Sequence, residues 1–80
     1  MIKVKVEVFA FLKDYVPQEL RDGANYICLE SPMSVSGLLK KISIPDNINK
    51  IVLVNEKYAS PMDILKEGDV VKVFPPVPGG

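Results

Sequence analysis

Glu67-Gly68-Asp69-Val70-Val71-Lys72-Val73-Phe74-Pro75-Pro76-Val77-Pro78-Gly79-Gly80 is a turn, a strand and then a segment that cannot belong to a sheet. Lys66 to Asp69 is the turn, in which Gly68 supplies a positive φ without steric cost. Val70 to Phe74 is strand-like, and Pro75, Pro76 and Pro78 end it, because each proline fixes φ and lacks the N–H that a ladder needs. The prolines favour an extended, polyproline-like exit. At roughly 3.1 Å per residue, residues 75–80 reach on the order of 19 Å from the folded body. Gly79 and Gly80 have no Cβ, so they fit a channel too narrow for side chains, and the α-carboxyl of Gly80 becomes the expected reactive group. The competing reading is a frayed, glycine-rich terminus or a cloning scar.

Upstream, Ile2, Val4, Val6 and Val8 alternate with Lys3, Lys5, Glu7 and Phe9, the period-two pattern of a strand with one buried face. Phe11 to Asn25 reads as a loop with a short helical turn, given Pro17 and the turn formers Asp22-Gly23-Ala24-Asn25. Tyr26-Ile27-Cys28-Leu29 is a second strand, placed to form a hairpin with the first. Ser34 then precedes Val35, Leu38, Leu39 and Ile42, which fall at i, i+3, i+4 and i+7 and line one face of a helix. Gly37 costs that helix about 1 kcal/mol relative to alanine, so it relies on packing its stripe against a sheet, and Pro45 is expected to close it.

Asp46 to Lys50 is polar loop, and Ile51-Val52-Leu53-Val54 is a continuous apolar run of the kind expected for a buried strand. Asn55-Glu56-Lys57 turns the chain, and Tyr58-Ala59-Ser60 reads as a brief edge strand ended by Pro61. The order strand, strand, helix, strand, short strand, strand is that of an α+β, ubiquitin-like β-grasp: a mixed sheet of four to five strands with one main helix on one face. The first and last strands are expected side by side and parallel at its centre. Residues 1–74 would form this domain and residues 75–80 its extended tail.

Composition narrows the function. Eighty residues make one small domain, which buries only about 60–65% of its unfolded surface. Ten Lys and Arg against ten Asp and Glu give zero formal net charge, so the basic footprint of a nucleic-acid binder is missing. No apolar run of membrane length and no signal segment are present, and a soluble cytoplasmic protein is expected. The absence of histidine removes the commonest general base and metal ligand, so self-contained catalysis is not expected. Cys28, between Ile27 and Leu29, is expected as a small buried hydrophobe. Lys3, Lys5, Lys40 and Lys41 read as solvated faces, and Asp63, Glu67 and Asp69 as turn chemistry rather than a metal site.

The closing fourteen residues resemble the ubiquitin-like sulfur carriers, most closely the molybdopterin synthase small subunits, with Phe74-Pro75-Pro76-Val77-Pro78-Gly79-Gly80 the specific part. Val8-Phe9-Ala10-Phe11-Leu12-Lys13-Asp14 is similar to that group's first strand and loop, and Val54-Asn55 stands where the family has such a pair. The thiamin-pathway carriers usually lack the double proline. An α-carboxyl with a pKa of about 3.5 is an unreactive carboxylate at neutral pH, so sulfur can replace its oxygen only after activation. The resemblance implies that an ATP-dependent adenylyltransferase of the ubiquitin-activating type forms an acyl-adenylate on Gly80. A sulfur donor protein then displaces AMP and leaves a thiocarboxylate, with Gly79 serving the passage of the tail.

In the molybdopterin branch the tail enters the synthase large subunit, in a heterotetramer, and the sulfur goes to a cyclic pyranopterin monophosphate precursor. The chain then binds no cofactor or metal itself, ATP being used by the activating enzyme.

Strand alternation also locates a docking surface. If Val71 and Val73 face the helix, Val70, Lys72 and Phe74 face the other way, as do Lys3, Lys5, Glu7 and Phe9. Phe9 and Phe74 would form an apolar patch at the root of the tail, continued by Pro75, Pro76, Val77 and Pro78 as partner-binding residues. The alternative is that loops cover the rings in a small second core. Two other functions stay open: a ubiquitin-like protein modifier joined through Gly80 to lysines, and a β-grasp interaction module with an inert tail.

Overall fold

The alternating strand at the start of the chain forms as its pattern predicts. In the computed structural model, which describes residues 1–76, β1 spans Ile2–Val8, with Val4, Val6 and Val8 buried on one face. β2 (Ala24–Leu29) runs antiparallel to it, from Ile2 opposite Leu29 to Glu7 opposite Ala24. After α1 (Val35–Lys41) come β3 (Ile51–Val54), β4 (Lys57–Tyr58) and β5 (Val70–Phe74). The sheet order is β2-β1-β5-β3-β4, with β1 and β5 parallel at its centre and the other pairs antiparallel. This five-stranded mixed sheet with one helix is a β-grasp.

The helix is held at both ends and along one side. Ser34 Oγ accepts a hydrogen bond from the Gly37 N–H at 3.1 Å, satisfying a first-turn donor. Val35, Leu38, Leu39 and Ile42 are all at most 3% exposed. At about 1.5–3 kcal/mol for each fully buried aliphatic side chain, this stripe outweighs the cost of Gly37 several times over.

The helix stops earlier than Pro45 requires. Ser43 takes a left-handed φ of 72°, its N–H donates to the Lys40 carbonyl at 3.0 Å, and the Ile44 N–H donates to the Leu39 carbonyl at 2.9 Å. This pair of bonds is a Schellman closure, and the residues at its two apolar positions, Leu39 and Ile44, are both buried in the core.

Three strand details differ from the sequence reading. β2 starts two residues earlier, because Ala24 and Asn25 pair with Glu7 and Val6. β4 is Lys57–Tyr58 rather than residues 58–60: Asn55 and Glu56 both have positive φ, 53° and 71°, and this tight turn sets Lys57 directly opposite Val54. Cys28 is exposed, not buried. In the β1–β2 register Ile27 and Leu29 face the core beside Val4 and Ile2, which leaves Cys28 opposite Lys3 on the open face.

The core lies between the helix and one sheet face. Leu12, Val16, Ile44 and Leu65 complete it from the connections and are at most 1% exposed. Leu12 belongs to a 3-10 turn, Ala10–Asp14, and Val16 falls between this and a second one, Gln18–Leu20.

Candidate functional site

The end of β5 and the end of β1 build the root of the tail. β1 and β5 are in parallel register from Lys5 opposite Val70 to Val8 opposite Val73, and the Phe9 N–H donates to the Val73 carbonyl at 3.0 Å. That bond carries Phe9 alongside Phe74. Their rings stack with centroids 4.3 Å apart and planes 5° from parallel. Ala10 then takes a positive φ of 57°, which swings the chain away from the strand so that Leu12 can enter the core.

Around the stacked rings lies an open groove of about 420 Å³, lined by Phe9, Ala10, Ile51, Leu53, Tyr58, Phe74, Pro75 and Pro76. Phe9, Phe74 and Pro75 are half-buried, Pro76 is exposed, and Tyr58 is 83% exposed. Among the described residues both rings keep part of their surface open to this groove. Val77, Pro78, Gly79 and Gly80 lie outside the described residues.

Ile51, Leu53 and Tyr58 were not legible as site residues. A continuous apolar run carries no phase, and the register supplies it: Ile51 sits opposite Phe74, Leu53 opposite Lys72 and Tyr58 opposite Leu53. Of the four β3 residues only Val52 is buried.

Charge borders the groove. Lys72 lies between Glu7 and Leu53 in register, and its Nζ donates to Glu56 Oε1 at 2.8 Å. This hydrogen bond and the Glu56 charge raise the Lys72 pKa above its ordinary 10.5, against a smaller lowering by desolvation and with a minor addition from Glu7. Asn55 acts on the opposite end of β5. Its side chain donates to Asp69 Oδ1 at 2.9 Å and accepts from the Val70 N–H at 3.0 Å, tying the β3–β4 turn to the start of the strand that bears the tail.

Asp63 and Asp69 serve their own turns, as their spacing suggests, whereas Glu67 reaches across to the start of β1. Asp69 Oδ2 accepts from the Lys66 N–H at 2.8 Å, Asp63 from the Ser60 N–H at 2.9 Å and Glu67 from the Lys3 N–H at 2.9 Å. Lys40 lies 3.7 Å from Asp46 in an exposed pair of little energetic weight. Gly68 has a φ of 85°. Among the described residues no group of three His, Cys, Asp or Glu could hold a metal ion, and no helix is long and apolar enough to cross a membrane.

This fold and tail root can be set against known proteins. The ThiS family matches residues 6–80, nearly the whole chain. The chain belongs to the ThiS family. That is a family of ubiquitin-like sulfur carriers, the group that the last fourteen residues resemble. No curated protein matches it in sequence.

Among solved structures, a Pyrococcus furiosus protein assigned as molybdopterin converting factor, subunit 1, is 28% identical, with a TM-score of 0.73 over 96% of this chain and 100% of its own. SAMP1 from Haloferax volcanii is 20% identical, with a TM-score of 0.67 over 98% and 99% of the two chains. A second structure from H. volcanii, of small archaeal modifier protein 1, is 18% identical with a TM-score of 0.69 over 96% and 100%. The last two share the fold with this ThiS-family chain.

Proposed function

We propose that this ThiS-family protein carries sulfur as a thiocarboxylate on Gly80 and donates it in molybdopterin biosynthesis, as the small subunit of a cytoplasmic molybdopterin synthase. The observation that carries the reading is the Phe74-Pro75-Pro76 root: a stacked aromatic pair and two prolines at the mouth of an apolar groove, leading into Val77-Pro78-Gly79-Gly80. The 28% identity to the P. furiosus protein supports the molybdopterin branch over the thiamin branch.

In this reading the chain's own groups position the tail and do no acid–base work. The groove binds the partner beside the stacked rings, the prolines hold the exit extended, and the glycines pass a narrow channel. An adenylyltransferase joins the carboxylate oxygen of Gly80 to the α-phosphate of ATP and releases pyrophosphate. A persulfide on the donor protein then forms the C–S bond as AMP leaves, and a second thiol cleaves the S–S bond of the resulting acyl disulfide, leaving the thiocarboxylate on Gly80 and a disulfide on the donor. The large subunit supplies the catalytic groups for transfer to the cyclic pyranopterin monophosphate.

The test is transfer from the thiocarboxylated protein to that precursor with a large subunit present. Dithiolene formation that stops with Gly80→Ala supports the reading, and full activity of Gly80→Ala overturns it. The second reading, conjugation of Gly80 to lysine amines, starts from the same adenylate and is favoured by the likeness to the H. volcanii modifier fold. Conjugates in place of dithiolene would select it.

A further inference from the structure

One edge of the sheet is open where the other is protected. β4, at one edge, is only Lys57–Tyr58, short and bearing a lysine, and both features discourage pairing with another chain. β2, at the other edge, is six residues long, Ala24-Asn25-Tyr26-Ile27-Cys28-Leu29, with no charge, no proline and an unbroken register against β1. Among the described residues no strand lies on its outer side.

The hydrogen-bonding direction of that edge follows from bonds elsewhere in the sheet. The N–H groups of Lys5 and Phe9 donate to Asp69 and Val73, and the Lys3 carbonyl accepts from Gly68, so the odd-numbered residues of β1 address β5. Alternation directs Ile2, Val4 and Val6 to β2, where they face Leu29, Ile27 and Asn25. The backbone N–H and C=O groups of Ala24, Tyr26 and Cys28 therefore point outward. Their side chains lie on the open face, where Tyr26 is 67% exposed and its ring is held between Lys3 and Lys5, with Nζ atoms 5.5 and 5.7 Å from the centroid.

We propose that β2 is a self-association edge, whose occupant is β2 of a second copy of this chain, antiparallel across a two-fold axis at Ile27. This register uses the whole stretch from Ala24 to Glu30 and sets no two like charges directly opposite one another across the strand pair. Tyr26 then lies opposite Cys28 of the second copy, and Ala24 opposite its Glu30. Centring the axis on Tyr26 would instead oppose Asp22 to Glu30, and centring it on Cys28 would oppose Ala24 to Pro32, which has no N–H to give.

A single strand pair buries less than the roughly 1,200–2,000 Å² of a stable interface, so the dimer is weak and concentration-dependent. It leaves the tail root free, since β1 separates β2 from β5.

Sedimentation equilibrium from about 10 μM to about 1 mM tests the proposal, a range that spans weak association. The expected result is an average mass for the wild type that rises with concentration toward twice that of one chain. Tyr26→Pro, which removes an outward N–H that an edge strand can lose, and Tyr26→Lys should stay at the mass of one chain while unfolding cooperatively. A wild type that keeps the mass of one chain throughout, or folded variants that dimerise equally well, would overturn it. A short bifunctional thiol reagent tests the register. It should link a Tyr26→Cys, Cys28→Ala chain to wild type faster than wild type to itself, and the reverse preference would contradict the axis at Ile27.

Discussion

Phe9 and Phe74 lie face to face, 4.3 Å between ring centroids, although 65 positions separate them, because parallel pairing of β1 and β5 ends with the Phe9 N–H on the Val73 carbonyl. The strand that carries the tail thus presents its last ring to the open face, where Ile51, Leu53 and Tyr58 continue the apolar surface. Docking energy concentrates on such packed aromatic anchors, which sets where substitutions should matter.

Phe74→Ala should weaken binding to the large subunit or the activating enzyme by about 30-fold, the loss of about 2 kcal/mol typical of a central aromatic contact. Titration calorimetry reads the change. Phe74→Asp should bind more weakly still, and unchanged affinity in a folded variant would mean that the groove is not the docking surface.

Ser43→Gly should stabilise the protein by about 0.5–1 kcal/mol. Ser43 occupies the left-handed position of the helix closure with φ 72°, a conformation that glycine adopts without Cβ strain. Urea unfolding would show a higher midpoint at unchanged slope.

Asn55 joins two demands in one residue, a φ of 53° and two side-chain bonds to Asp69 and Val70. Asn55→Gly keeps the turn and loses the bonds, so it should cost about 1 kcal/mol, and Asn55→Ala should cost about 2 kcal/mol because it also strains the turn. Equal losses in urea unfolding would mean that the conformation contributes nothing.

Lys72 gives stability a dependence on alkaline pH. Its folded pKa lies above the ordinary 10.5, so the unfolded chain releases the proton first as pH rises. The contribution is fully present below 10.5 and is lost as pH rises through the higher folded value. Unfolding curves from neutral pH to above 10.5 should therefore converge for wild type and Glu56→Gln at the alkaline end, with the wild type the more stable at neutral pH. The pair is exposed enough for that difference to be small.

The architecture was legible wherever one face of an element is buried. β1 and β5 announce themselves by alternation, and α1 by a four-residue apolar stripe whose members are all buried. The groove was legible only by half. Phe9 and Phe74 follow from the phase of their strands, whereas Ile51 and Leu53 sit in an unbroken apolar run whose phase is set by pairing with β5. Cys28 is exposed although Ile27 and Leu29 flank it, because in a strand apolar neighbours on both sides mark the opposite face. Leu12, Val16, Ile44 and Leu65 lie in connections without periodicity, and the turns that direct them inward are tertiary outcomes.

The C-terminal chemistry is most directly tested by the intact mass of the protein after incubation with ATP, an adenylyltransferase of the ubiquitin-activating type and a sulfide source. The expected result is exchange of one carboxyl oxygen for sulfur, absent when Gly80 is deleted. An unchanged mass with enzymes that activate a known carrier in the same assay would contradict the assignment of Gly80 as the sulfur-bearing residue.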